Sequence, residues 1–190
     1  TSILDDSTLP TAGRAQTTWS GVVELTESYT VNVTDELIIA PCTVVKLTNA
    51  ARIFVDGRIL IQGDSSCSVT LETINAGLHY GIQFNQSSYG RGSKIDNLSI
   101  VNSMYGVTIY GSNPVLSNVT VINPSRVAVD LFSSANPTIR DLFVDQAGRG
   151  FSYADWRYGI GLSVGSGSAP FVERAVLSDC LLYTSPSPRD

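Results

Sequence analysis

Charge, metal-binding residues and long apolar runs are all scarce in this 190-residue chain. Charged residues make up 15% of it, with a formal net charge of −5 and a pI of about 4.7. That balance argues against nucleic acid and anionic membranes as partners. No stretch approaches the roughly 18 consecutive apolar residues of a spanning helix, which excludes a helical membrane anchor in this segment. One histidine and three cysteines, without a CxxC or Cys/His spacing, give no basis for a metal site. No window has useful helical apolar spacing, so a helical class is excluded as well. No secretory leader opens the chain, and Thr1 stands where Met would begin a gene product. The chain therefore reads as processed, or as part of a longer protein.

What is present in abundance is repetition. Four segments line up, SKIDNLSIVN at Ser93, PVLSNVTVIN at Pro114, PTIRDLFVDQ at Pro137 and PFVERAVLSD at Pro170, with starts 21, 23 and 33 residues apart. The third residue of each is Ile95, Leu116, Ile139 or Val172, and the sixth is Leu98, Val119, Leu142 or Ala175. The eighth is Ile100, Val121, Val144 or Leu177. The tenth is always an amide or acid: Asn102, Asn123, Gln146, Asp179. Strand-like repeats of this period predict a solenoid.

The same character begins earlier. Residues 1–20 have no clear period and read as an irregular lead-in, whereas from Gly21 short β-branched runs alternate with Gly, Asp and Asn corners. A second strand follows each later corner, as Tyr80-Gly-Ile-Gln-Phe, Tyr105-Gly-Val-Thr-Ile, Arg126-Val-Ala-Val and Tyr158-Gly-Ile-Gly-Leu. The pairs Ile82/Phe84, Val107/Ile109, Val127/Val129 and Ile160/Leu162 are expected to stack inward. Proline has no N–H for a central ladder, so Pro114, Pro137 and Pro170 belong at corners. Each coil must advance by one strand spacing, giving parallel sheets around a filled interior. In these coils the chain resembles the right-handed parallel β-helix, or pectin-lyase-like, superfamily, over 21–179. The resemblance implies an all-β right-handed parallel β-helix with coils of about 21–24 residues. Within it, Asn102, Asn123, Gln146 and Asp179 are expected to form a structural corner ladder.

Residues 180–190, CLLYTSPSPRD, break the repeat and resemble a translated sequencing adapter from a metagenomic library, so they are set aside as a non-native tail. On that reading the β-helix domain is truncated at Asp179. Of the remaining cysteines, Cys42 and Cys67 lie about one coil apart. They suit a disulfide in an oxidising compartment, but read more readily as two small buried residues in neighbouring coils.

The family resemblance directs attention to carbohydrate chemistry. The Asn-Thr-Asp, Asp-Asp, Gly-His-Gly and Arg-Ile-Lys signatures of its galacturonan hydrolases are absent, and no catalytic residue is assigned. His79, lacking flanking glycines, reads as a corner or surface residue rather than a general acid or base. Asp64, Asp96, Asp130, Asp141 and Asp145 fall at different coil positions and make no evident Ca²⁺ cage. They read as solvated corner acids, and no cofactor is expected. Function is sought where the repeat is broken. The insertion at 147–158 carries Arg149, Tyr153, Asp155, Trp156, Arg157 and Tyr158, and a smaller excursion at 85–93 carries Tyr89 and Arg91. Aromatic rings beside charged groups suit a sugar, whose face stacks on the ring while its hydroxyls take hydrogen bonds. The expected role is a non-catalytic module of a secreted or cell-surface microbial protein, for adhesion or binding of a polysaccharide or other glycan. The rivals are a carbohydrate-active enzyme with its catalytic residues elsewhere, and a structural spacer.

Overall fold

A computed structural model describes residues 15–148 and 159–181. Among them the first three coils each contribute three short strands. These are β1 (Ala15–Trp19), β2 (Val22–Leu25) and β3 (Tyr29–Val31), then β4 (Asp35–Ile39), β5 (Val44–Leu47) and β6 (Ile53–Val55), then β7 (Arg58–Gln62), β8 (Val69–Thr73) and β9 (Ile82–Phe84). Later coils carry one long strand and one shorter strand each: β10 (Lys94–Val101) with β11 (Tyr105–Tyr110), β12 (Val115–Ile122) with β13 (Val127–Phe132), and β14 (Thr138–Asp145) with β15 (Ile160–Val164). β16 (Phe171–Ser178) begins the next coil. Every pairing between named strands is parallel and joins one coil to its neighbour.

The long strands are two strands fused at a bend. β10 pairs with β7 through Lys94–Asp96 and with β8 through Leu98–Ile100. Between them Asn97 adopts a left-handed conformation (φ 47°), as do Asn118, Asp141 and Arg174 at the equivalent point of β12, β14 and β16. Asparagine and aspartate tolerate this region better than other residues that carry a Cβ, and the Asn97 amide donates to the Gly63 carbonyl of the preceding coil at 3.1 Å. One residue thus does what residues 40–43 and 63–68 do in the earlier coils. The fifth position of the repeat is therefore a corner in its own right.

The tenth position is another. Asn102, Asn123, Gln146 and Asp179 all have φ between 53° and 58°. Asn123 Nδ2 donates to Asn102 Oδ1 at 2.9 Å, while Gln146 joins the next coil through its backbone N–H to the Ser178 carbonyl. Inside, the three apolar columns of the repeat stack as Ile95–Leu116–Ile139, Leu98–Val119–Leu142 and Ile100–Val121–Val144, all fully buried.

Four expectations need correction. The lead-in is shorter than 1–20, because Ala15–Trp19 pairs with β4 as the first strand. Only Trp19 of the five is buried, so no alternation betrayed it. The inward pairs of the last two coils slip by two residues: Val107/Ile109 stack on Val129/Leu131, and these on Leu162/Val164. A two-residue slip keeps every side chain on its face, so alternation alone does not detect it. Cys42 and Cys67 are not two small buried residues. They form a disulfide, with Cα atoms 5.0 Å apart, and Cys42 is exposed. Both lie at the corner between the first and second faces, where neighbouring coils bring them together. Asp130 is not a solvated corner acid. It sits in mid-strand, in register with Thr108 and Ser163, and is buried.

Candidate functional site

The excursion at 85–93 projects where the third face turns back to the first. It opens with a single 3₁₀ turn, Gln86–Ser88, and Ser88 faces inward, its hydroxyl 2.8 Å from that of Ser112 in the following coil. That inward anchor leaves Tyr89 pointing out, with 47% of its surface exposed. Beside its ring lies a depression walled by Gln86, Ser133, Ser134 and Asn136, with Gly111 between them. Gly111 has φ +60°, and a Cβ there would stand 3.1 Å from Gln86 Cγ and 3.2 Å from the Ser133 carbonyl, so glycine keeps the space open. Tyr110, also exposed, pairs with Phe132 at a centroid distance of 6.2 Å just before this floor.

Asn136 continues the site into an adjoining depression that also contains Asn113, Lys94 and Thr138. Asn113 Oδ1 accepts from the Gly90 N–H at 2.7 Å, and Asn136 Oδ1 from the Ala169 N–H at 2.9 Å. Each amide is thereby oriented with its NH₂ left as a donor beside the groove. Half-exposed tyrosine, amides and hydroxyls are the groups that bind a hydroxyl-rich, uncharged ligand. Among the described residues, those lining both depressions include no carboxylate and no histidine.

The expected pair in this excursion separates. Tyr89 faces the groove, but Arg91 turns back on its own loop, its Nε donating to the Ser87 carbonyl at 2.7 Å. Arg149, Tyr153, Asp155, Trp156, Arg157 and Tyr158 lie outside the described residues. Gln86, Gly111, Ser133, Ser134 and Asn136 were not picked out from the sequence. The one available signal was that equivalent strands end at 84, 110 and 132, which places the following residues on one corner.

Two other clusters gather polar side chains. On the third face Arg52 lies 4.7 Å from the Tyr80 ring, Tyr80 meets Tyr105 edge-on at 6.0 Å, and Arg126 donates to the Tyr105 hydroxyl. These side chains engage one another. At the fifth-position corner, Arg174 grips Asp141 with two hydrogen bonds of 2.5 and 2.8 Å, which hold that carboxyl below the usual carboxylate range. Among the described residues no three of His, Cys, Asp and Glu converge.

His79 is a corner residue, but it is buried rather than on the surface. Its Nδ1 accepts from the Gly81 N–H at 3.0 Å, so the ring proton sits on Nε2, which donates to the Val101 carbonyl at 3.1 Å. Burial pushes its pKa from 6.5 down to about 4, against the smaller upward pull of the Val101 carbonyl. The unfolded chain takes up the proton near pH 6.5, while the fold refuses it until about pH 4. The neutral ring therefore favours the fold fully above pH 6.5, and that contribution falls away towards pH 4, by about 3 kcal/mol. In urea titrations at pH 7.5 and 4.5, the wild type should lose about 3 kcal/mol more than His79→Gln does. Equal losses would rule out the buried neutral ring.

A family model described as a right-handed beta helix region matches residues 57–182. No curated protein and no solved structure matches the chain.

Proposed function

From the premise that this chain belongs to the right-handed β-helix family, we propose that it is a non-catalytic, glycan-binding module of a secreted or cell-surface protein. The observation that carries this reading is the half-exposed Tyr89 ring set beside amides and hydroxyls from successive coils. The ring offers a face for a sugar to stack on, and Gln86, Ser133, Ser134 and Asn136 offer hydrogen bonds in both directions. Lys94 is the one charged residue among the described residues of this lining, so recognition rests mainly on stacking and hydrogen bonds, which a neutral glycan supplies. The Cys42–Cys67 disulfide supports placement in an oxidising, extracellular setting.

Calorimetric titration with the neutral hexaoses cellohexaose, xylohexaose and mannohexaose tests it. At least one should bind, and Tyr89→Ala should weaken that binding about tenfold, the loss of one stacking contact. Trp156→Ala, run in parallel, assigns binding to the other excursion if it alone abolishes the signal. Binding that survives Tyr89→Ala unchanged would refute the site, and absence of binding to all three hexaoses would refute the neutral-glycan reading.

A further inference from the structure

At its start the Tyr89 excursion is held to the coil before it by the Asn85 N–H on the Val55 carbonyl and by one carboxylate. Asp56 directly follows the third-face strand β6 and points outward, and its Oδ1 accepts from Asn85 Nδ2 at 3.0 Å and from Ser87 Oγ at 2.5 Å. Asn85 and Ser87 are the residue before the 3₁₀ turn and its middle residue, so this oxygen ties the turn to the side chain that precedes it. The arrangement extends backwards. Gln83 Nε2 donates to Asn85 Oδ1 at 2.8 Å, and Arg52 Nη1 donates to Gln83 Oε1, with Arg52 stacked on the Phe54 and Tyr80 rings. Five polar side chains, Arg52, Gln83, Asn85, Asp56 and Ser87, thus form one chain of bonds that ends at the loop carrying Tyr89. From the other side the excursion is held by Asn113 Oδ1, which accepts from the Gly90 N–H, and by the Ser112 hydroxyl on that of Ser88.

Strand pairing does not need these bonds. β6 pairs with β9 through Ile53–Val55 and Ile82–Phe84, and the Asn85 N–H closes this ladder on the Val55 carbonyl at 3.0 Å, leaving the side chains of Asp56, Asn85 and Ser87 outside it. A carboxylate that gathers the first residues of a loop, on a coil whose ladder is already complete, acts on where the loop stands. We propose that Asp56 is the positioning residue of the Tyr89 site, fixing the ring over the groove before a ligand arrives. Preorganisation of this kind raises affinity by removing the ordering cost from the binding step. The inference rests on the glycan-binding reading for its functional meaning, but the anchoring itself is measurable without a ligand.

Two substitutions separate the acceptor from the charge. Asp56→Ala removes both hydrogen bonds, whereas Asp56→Asn keeps a carbonyl oxygen that accepts from Asn85 and Ser87. Trypsin cleavage after Arg91 reports on the excursion directly. In the full chain, Asp56→Ala should accelerate that cleavage about tenfold, the loss of one net charge-assisted hydrogen bond, while Asp56→Asn stays near the wild-type rate. The melting temperature of Asp56→Ala should stay within a few degrees of wild type, which separates loop release from global unfolding. For whichever of the three hexaoses binds the wild type, affinity should fall about tenfold in Asp56→Ala and recover in Asp56→Asn. An unchanged cleavage rate in Asp56→Ala, or equal acceleration in both variants, would overturn the proposal. If no hexaose binds while the cleavage rates behave as stated, the glycan reading falls and Asp56 stands as the anchor of the excursion.

Discussion

Arg58→Ala should destabilise the fold by about 3–5 kcal/mol, the largest effect expected from a single substitution. Arg58 and Glu36 face each other across β7 and β4, with Nη1 to Oε2 at 2.8 Å. The Glu36 side chain is only 3% exposed and that of Arg58 17%. The end of the 85–93 excursion lies against Arg58, whose Nε also donates to the Gly92 carbonyl at 3.4 Å. Removing the guanidinium leaves a carboxylate buried without its partner, and the desolvation cost of that charge outweighs the lost attraction itself. The test therefore includes a second arm. Replacing both members, as Glu36→Leu with Arg58→Met, removes the charge and its partner together and should return stability to the wild-type value or slightly above it. Guanidinium unfolding at pH 7 of the three proteins decides the matter. A loss below about 1 kcal/mol for Arg58→Ala is the value of an exposed pair and would contradict a buried one.

Reduction of the Cys42–Cys67 disulfide is the second large effect. The bond closes a loop between residues 25 apart, for which chain entropy predicts a contribution of about 3.5 kcal/mol. Cys42 is exposed and Cys67 half-buried, so replacing them opens little cavity, and the loss comes mainly from the freed unfolded chain. Thermal melts with and without dithiothreitol should differ by about 10 °C for a chain of this size. Cys42→Ser/Cys67→Ser should melt at the reduced temperature and no longer respond to the reagent. A double variant as stable as the oxidised protein would show that the bond constrains nothing.

Most of the fold was legible because burial enforces spacing. Ile95, Leu116 and Ile139 recur where they do because each must point into the same interior, and no surface residue competes for that column. Where burial is indifferent, the pattern is silent. The two-residue slip that sets Val129, rather than Val127, over Val107 leaves every face unchanged, so alternation favours neither register. The bend at the fifth position was hidden for another reason. Asn97, Asn118 and Asp141 suit a left-handed residue, but Arg174 does not, and the column therefore looked merely polar. The disulfide stayed open because a separation of 25 residues brings two corners together only once the coil lengths between them are known. In the candidate site, Tyr89 stood out as an aromatic in an excursion. Its surroundings did not, because Gly111, Ser133 and Ser134 are what any tight corner contains, and only the stacking of coils assembles them around a ring.

The parallel stacking of coils bears on how such a chain grows. Each strand closes on the strand one coil earlier, at separations running from 20 residues (Ala15 to Asp35) to 34 (Leu60 to Lys94). These separations are set by the coil and not by the length of the chain. Loop-closure entropy depends on that separation, so a tenth coil costs no more to add than a fourth and meets the same parallel template. Duplication of a single coil is then close to neutral for the rest of the molecule. An excursion such as 85–93 can lengthen or change its residues with effects confined to the coils beside it. The scaffold separates the part that must stay periodic from the part free to diversify, and the Tyr89 loop belongs to the second.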